Sequence, residues 1–152
     1  MKSNTQLLIE LWKEARTRFT NQLALITEND LQKKLGSSPN SLGFLIRHIG
    51  DVELLFAKNV FGESDVKVIA KTVIAQKDTG EWTNLSELQI HNDYAFKSLL
   101  KSIEKQTAAD WEEIITTKEF GTKTKAEAFG RIISHTAYHS GQMMMITKYG
   151  IV

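Results

Sequence analysis

Residues 124–150, TKAEAFGRIISHTAYHSGQMMMITKYG, decide the fold class. No proline interrupts them. Thr124 and Glu127 have the spacing of a capping box, in which two free N–H groups of a helix start are satisfied reciprocally. Gly150 is suited to end the same helix. Each residue turns a helix by about 100°, so Ala128, Ile132, Met143 and Ile146 fall near one direction. His135 and His139 lie about 40° apart, close to that direction. The stretch therefore predicts an amphipathic helix over 124–149 whose apolar side carries two histidines.

The rest of the chain repeats this pattern. Leu8, Leu11, Trp12, Ala15, Phe19, Leu23 and Ile26 recur at spacings of three and four and predict a helix over 4–26. NDLQKKLG, ending at Gly36, reads as a helical turn. Asn40 or Ser41 can cap a second long helix over 41–61, with a stripe of Leu42, Leu45, Ile46, Ile49, Val52, Phe56 and Val60, and Gly62 ends it. Asn84 and Glu87 open a third over 84–107, with Leu88, His91, Ala95, Leu99 and Ile103 on one side. Residues 62–83, containing the β-branched run VKVIAKTVIAQ, read as an extended connection crossing the bundle. ADWEEIITTKEFGTKTK reads as an irregular or hairpin-like loop around Gly121. The fold class is all-α: one domain over 1–152, a four-helix bundle with a long connection between helices two and three. Such a crossover permits parallel neighbours.

Composition narrows the function classes. The 152 residues are 41% hydrophobic and 24% charged, with a net charge of +1, as in an ordinary soluble globular domain. The lysines are scattered, which argues against an electrostatic nucleic-acid binder. No apolar run approaches the length of a membrane span, and the charged N-terminal segment lacks the features of a signal peptide, so a cytoplasmic protein is expected. There is no cysteine. Any thiol chemistry must use a thiol from another molecule.

Four histidines are present: His48, His91, His135 and His139. His48 is one turn from Leu45 and from Val52, at the flank of the second helix's stripe. Three histidines on two helices thus aim at the bundle interior. A lone histidine on an apolar face is more often a satisfied core residue than a ligand. Three buried imidazoles without partners are costly, however, and one divalent cation would satisfy all three. Neighbouring helix axes about 8–10 Å apart let His48 reach the other two. Neutral imidazole suits zinc, nickel, copper or iron, and three protein ligands leave a position for water or substrate. His91 has no histidine at helical spacing and is expected to bond solvent or backbone. Asp51, one turn from His48, is placed to orient or supplement a ligand. Glu53 is read as a solvated helix residue, as are Arg47 and Arg131. Gln142 is placed at the site rim, and Met143, Met144 and Met145 read as core filler.

SLGFLIRHIGDVELLF (41–56), with His48, and the HxxxHxGQ pattern of His135, His139 and Gln142 resemble the DinB superfamily, the DinB/YfiT-like metalloenzymes. FGTKTKAEAF (120–129) fits as well. The resemblance implies an up-down-down-up bundle and a divalent metal, often nickel or zinc, held by His48, His135 and His139. Gln142 matches the glutamine of the motif. Characterised relatives include S-transferases that use bacillithiol or mycothiol and a thiol-dependent maleylpyruvate isomerase. The expected function is therefore a metal-dependent enzyme, such as a thiol-dependent S-transferase acting on small electrophiles, with a low-molecular-weight thiol as cosubstrate. The alternative is a non-catalytic metal-binding module of a stress response. Metal affinity is expected to fall as the pH drops through the imidazole range near ~6.5. Trp12, Trp82 and Trp111 exceed what one small core needs, and relatives form dimers, so a homodimer is expected.

Overall fold

The computed structural model describes residues Met1–Val152. Its elements are α1 (Asn4–Leu23), α2 (Leu42–Asn59), α3 (Lys71–Ala75), α4 (Leu85–Glu104), β1 (Ile114–Thr117), β2 (Gly121–Thr124) and α5 (Lys125–Tyr149). Side chains that compete for backbone donors start each long helix. Ser3 and Gln6 form a capping box at α1, and Thr124 and Glu127 form another at α5. Ser41 accepts from the Phe44 amide at α2, and Asn84 accepts from the Glu87 amide at α4. The expected helices end slightly early: α1 stops at Leu23 and α4 at Glu104. β1 and β2 pair antiparallel, with Ile114 opposite Thr124, and give the hairpin before α5.

Which apolar residues meet fixes the topology. Ile9 and Trp12, early in α1, pack with Val52–Val60, late in α2, with Leu99 and Ile103 of α4, and with Ala128–Ile132 of α5. Phe19, late in α1, packs with Leu42–Ile49, Leu88, Met143 and Ile146. Hence α1 and α5 run one way and α2 and α4 the other, which is the up-down-down-up order. Parallel α2 and α4 require the long connection between them. That connection is not wholly extended, contrary to expectation. It carries the short helix α3, closed by Gln76 in the left-handed region at φ 54°.

The two apolar clusters meet at a polar layer. Arg16 lies between Trp12 and Phe19, Glu53 between Ile49 and Leu54, and Asn92 between Leu88 and Ala95. Glu53 is fully buried, which corrects its reading as a solvated residue. The Arg16 guanidinium grips both its oxygens, at 2.8 and 2.9 Å. A buried carboxylate needs such a bidentate partner, and the guanidinium fork supplies it. Asn92 donates to the carbonyls of Ile46 and Leu88. Trp12 and Trp111 are taken up by the larger cluster. No helix is long and apolar enough to cross a membrane.

Candidate metal centre

Between α2 and α5 the three histidines come together. His135 and His139 meet edge to face on one side of α5, with ring centroids 4.4 Å apart. His48 faces both from α2 at 5.0 Å. Each residue offers one ligating nitrogen, and these atoms all lie within 4.8 Å of one another. His135 Nε2 is 3.2 Å from His48 Nε2. Two nitrogens bound tetrahedrally at about 2.0–2.1 Å sit about 3.3–3.4 Å apart, so this spacing fits ligation of a shared cation.

The rings are neutral at physiological pH. Burial pushes His48 down to about 4, helped by the neighbouring His139 and opposed by Asp51. Burial, then His139 and His48, push His135 down to about 3. Burial lowers His139 too, against the opposing hydrogen bond to Gln142. A neutral imidazole is the form that donates a lone pair to a metal. His139 Nδ1 lies 2.6 Å from Gln142 Oε1, so an N–H there leaves Nε2 free toward the other rings. Gln142 in turn donates to the Tyr138 hydroxyl at 3.3 Å. His135 Nδ1 is buried without a protein partner. The donor set, three half-buried neutral nitrogens with no carboxylate among them, fits zinc or nickel better than a hard, oxygen-seeking cation.

Asp51 does not touch the cluster. Its Oδ2 accepts from the Thr72 hydroxyl at 2.8 Å and the Thr72 amide at 3.2 Å, and Thr72 Oγ1 lies 3.1 Å from His48 Nδ1. Burial raises the Asp51 carboxyl, but His91, Thr72 and Arg47 outweigh it and hold it below the usual carboxylate range. Arg47 corrects its reading as a solvated charge: its Nε is 2.9 Å from Asp51 Oδ1, and its guanidinium lies over the Trp82 ring. His91 turns its Nε2 inward to the same carboxylate, 3.0 Å from Asp51 Oδ1, close but off the line of a well-directed hydrogen bond. Arg131 stays exposed, 4.0 Å from Glu119. Only Met143 of the three methionines is core; Met144 and Met145 face outward. Sequence reading missed Thr72. It lies in a β-branched run remote from any histidine, and nothing local marks it.

A cleft of about 620 Å³ opens onto the three histidines. Phe44, Val52, Leu55 and Val73 form its apolar wall, and Asn40, Gln76 and Lys118 stand among its polar groups. A second hollow of about 560 Å³ lies along α5 beyond Gln142, between Leu45, Tyr138, Met145 and Ile146, and shares Asn40 with the first.

In overall shape the chain is similar to the crystal structure of a mycothiol-dependent maleylpyruvate isomerase, with a TM-score of 0.71 at 13% identity. The similarity covers 94% of this chain and 63% of the isomerase, so the chain spans less than two thirds of that enzyme. A conserved protein from Enterococcus faecalis matches with a TM-score of 0.66 at 20% identity, over 98% of both chains. No protein of curated function matches the sequence. The model of the DinB superfamily matches residues 11–143, and the chain belongs to that superfamily.

Proposed function

We propose that this protein is a metal-dependent enzyme of the thiol-dependent transferase type, acting on small electrophiles, with zinc or nickel held by His48, His135 and His139. The observation that carries the reading is the convergence of three neutral imidazoles from two helices at the floor of an open cleft. When bound, the metal would lower the pKa of a coordinated thiol or water and so supply a nucleophile at neutral pH. The chain's own residues do the rest. The three histidines offer lone pairs and leave the cleft side open. Phe44, Val52, Leu55 and Val73 shed water around the apolar part of a small molecule. Asn40, Gln76 and Lys118 give hydrogen-bonding and charged contacts that orient its polar part. With no cysteine in the chain, the thiol is a cosubstrate. The similarity in shape to a mycothiol-dependent enzyme supports this class.

The test is a screen of low-molecular-weight thiols, bacillithiol and mycothiol among them, against small electrophiles, using protein of known metal content. Thiol consumption that requires both the metal and His139 is the expected result. Stoichiometric metal with no turnover for any pair would leave the non-catalytic metal-binding module in its place.

A further inference from the structure

We infer that Thr72, on the connection between α2 and α4, is a positioning residue for the metal centre, because it fixes which nitrogen of His48 faces the other two histidines. The inference rests on the metal-binding reading above and on hydrogen-bond bookkeeping. Thr72 is 2% exposed although it sits in a connecting segment. Its hydroxyl has one hydrogen and two neighbours in reach, Asp51 Oδ2 at 2.8 Å and His48 Nδ1 at 3.1 Å. Asp51 is fully buried beside the Arg47 guanidinium, so it is a carboxylate and only accepts. The hydroxyl hydrogen goes to the nearer, charged acceptor. Thr72 Oγ1 can then only accept from His48, which places the ring hydrogen on Nδ1 and the lone pair on Nε2. That lone pair faces His135 Nε2 at 3.2 Å. Asp51 therefore acts on His48 through Thr72.

The Thr72 amide also donates to Asp51, at 3.2 Å, so backbone and side chain bind the same carboxylate oxygen. Arg47 and the His91 ring close around the other oxygen. The carboxylate thus pins α3 to α2, and the metal ligand is oriented by a segment far from it in sequence. By reciprocity, an ion that selects the Nε2 lone pair strengthens the hold on α3.

The test uses Zn²⁺ alone on the full chain, with Thr72→Val and Thr72→Ser. Threonine and valine have nearly the same shape, and circular dichroism checks that the helices persist. Zn²⁺ affinity, measured by chelator competition, should fall about ten- to a hundred-fold in Thr72→Val, the usual cost of losing an outer partner of a ligating histidine. Thr72→Ser should restore most of it. A second readout needs no metal. Long-range ¹⁵N–¹H spectra of the metal-free protein should show the Nδ1–H tautomer for His48 in the parent and in Thr72→Ser, and a shift toward Nε2–H or a mixture in Thr72→Val. Unchanged affinity and tautomer in Thr72→Val would overturn the inference, as would an Nε2–H tautomer in the parent. Should the parent take up no Zn²⁺, the proposed function fails while the tautomer spectra still decide the role of Thr72.

Discussion

His135 occupies the most desolvated position of the three rings, and a proton added there would sit among two other imidazoles. The consequence is a stability that depends on pH. In the unfolded chain the rings take up protons near the ordinary value of 6.5, whereas in the folded, metal-free protein His48 and His135 do so only at about 4 and about 3. Between these limits the unfolded state binds more protons, so unfolding is favoured as the pH falls from about 6.5 toward about 4. Thermal unfolding in the presence of a chelator should show the midpoint dropping across this window and level above it. A midpoint unchanged between pH 7 and 4.5 would contradict the burial of the rings. Asp30, held down to about 2 by Lys33 and Thr27, adds a separate loss at lower pH. Burial disfavours the protonated form of His48, so its competition with a metal sets in below the range of free imidazole. Glu53 supplies a second prediction. Glu53→Ala leaves the Arg16 guanidinium buried and unpaired and should cost about 3–5 kcal/mol in urea unfolding. Joint replacement of the pair by Met and Leu should recover most of that loss. The sequence pattern does not reveal this pair, because Glu53 is adjacent to apolar residues on both sides and its partner is 37 positions away.

The helices themselves come from local rules, and for that reason they are legible. Caps at Ser41, Asn84 and Thr124 and stripes at three- and four-residue spacing depend only on neighbours in sequence. The His135–His139 pair is legible for the same reason, being one turn of one helix. What joins elements is not. Thr72 matters through contacts to α2 that no local pattern encodes, and the residues after Gly62 offer no strand partner or long stripe to read. Two glycines of α2 show how closely the elements approach. A Cβ built on Gly50 would lie 2.7 Å from the His91 ring, and one on Gly43 would lie 1.9 Å from the Trp82 carbonyl. Gly50→Ala should therefore push α4 away from α2, destabilise the fold by about 1–3 kcal/mol, and loosen His91 from Asp51. Denaturant unfolding measures the first effect. An unchanged midpoint would mean that the two helices have slack at this level. Gly43→Ala, facing backbone in place of a movable ring, should cost at least as much.

Across the whole molecule, a polar layer of buried Arg16, Glu53 and Asn92 separates two apolar clusters. The bundle order follows from the length of the α2–α4 connection, and the same connection brings Thr72 to His48. Assembly is a separate matter. A homodimer is expected from surplus tryptophans and from dimeric relatives, but Trp12 and Trp111 belong to the core and give the first ground no support. The proposal now rests on Leu7 and Leu11, exposed one turn apart on α1. Light scattering at micromolar concentration should give twice the chain's mass, and Leu11→Glu should halve it. A monomer for the parent would end that proposal. The central claim, that His48, His135 and His139 hold one divalent ion, is tested most directly by metal content. Elemental analysis of the purified parent and of His139→Ala, with Zn²⁺ titration of both and circular dichroism as a check on folding, supplies the comparison. The parent should carry one equivalent of zinc or nickel, and a His139→Ala protein that keeps its helices should carry none at stoichiometric level. One equivalent bound with unchanged affinity by His139→Ala would contradict the claim.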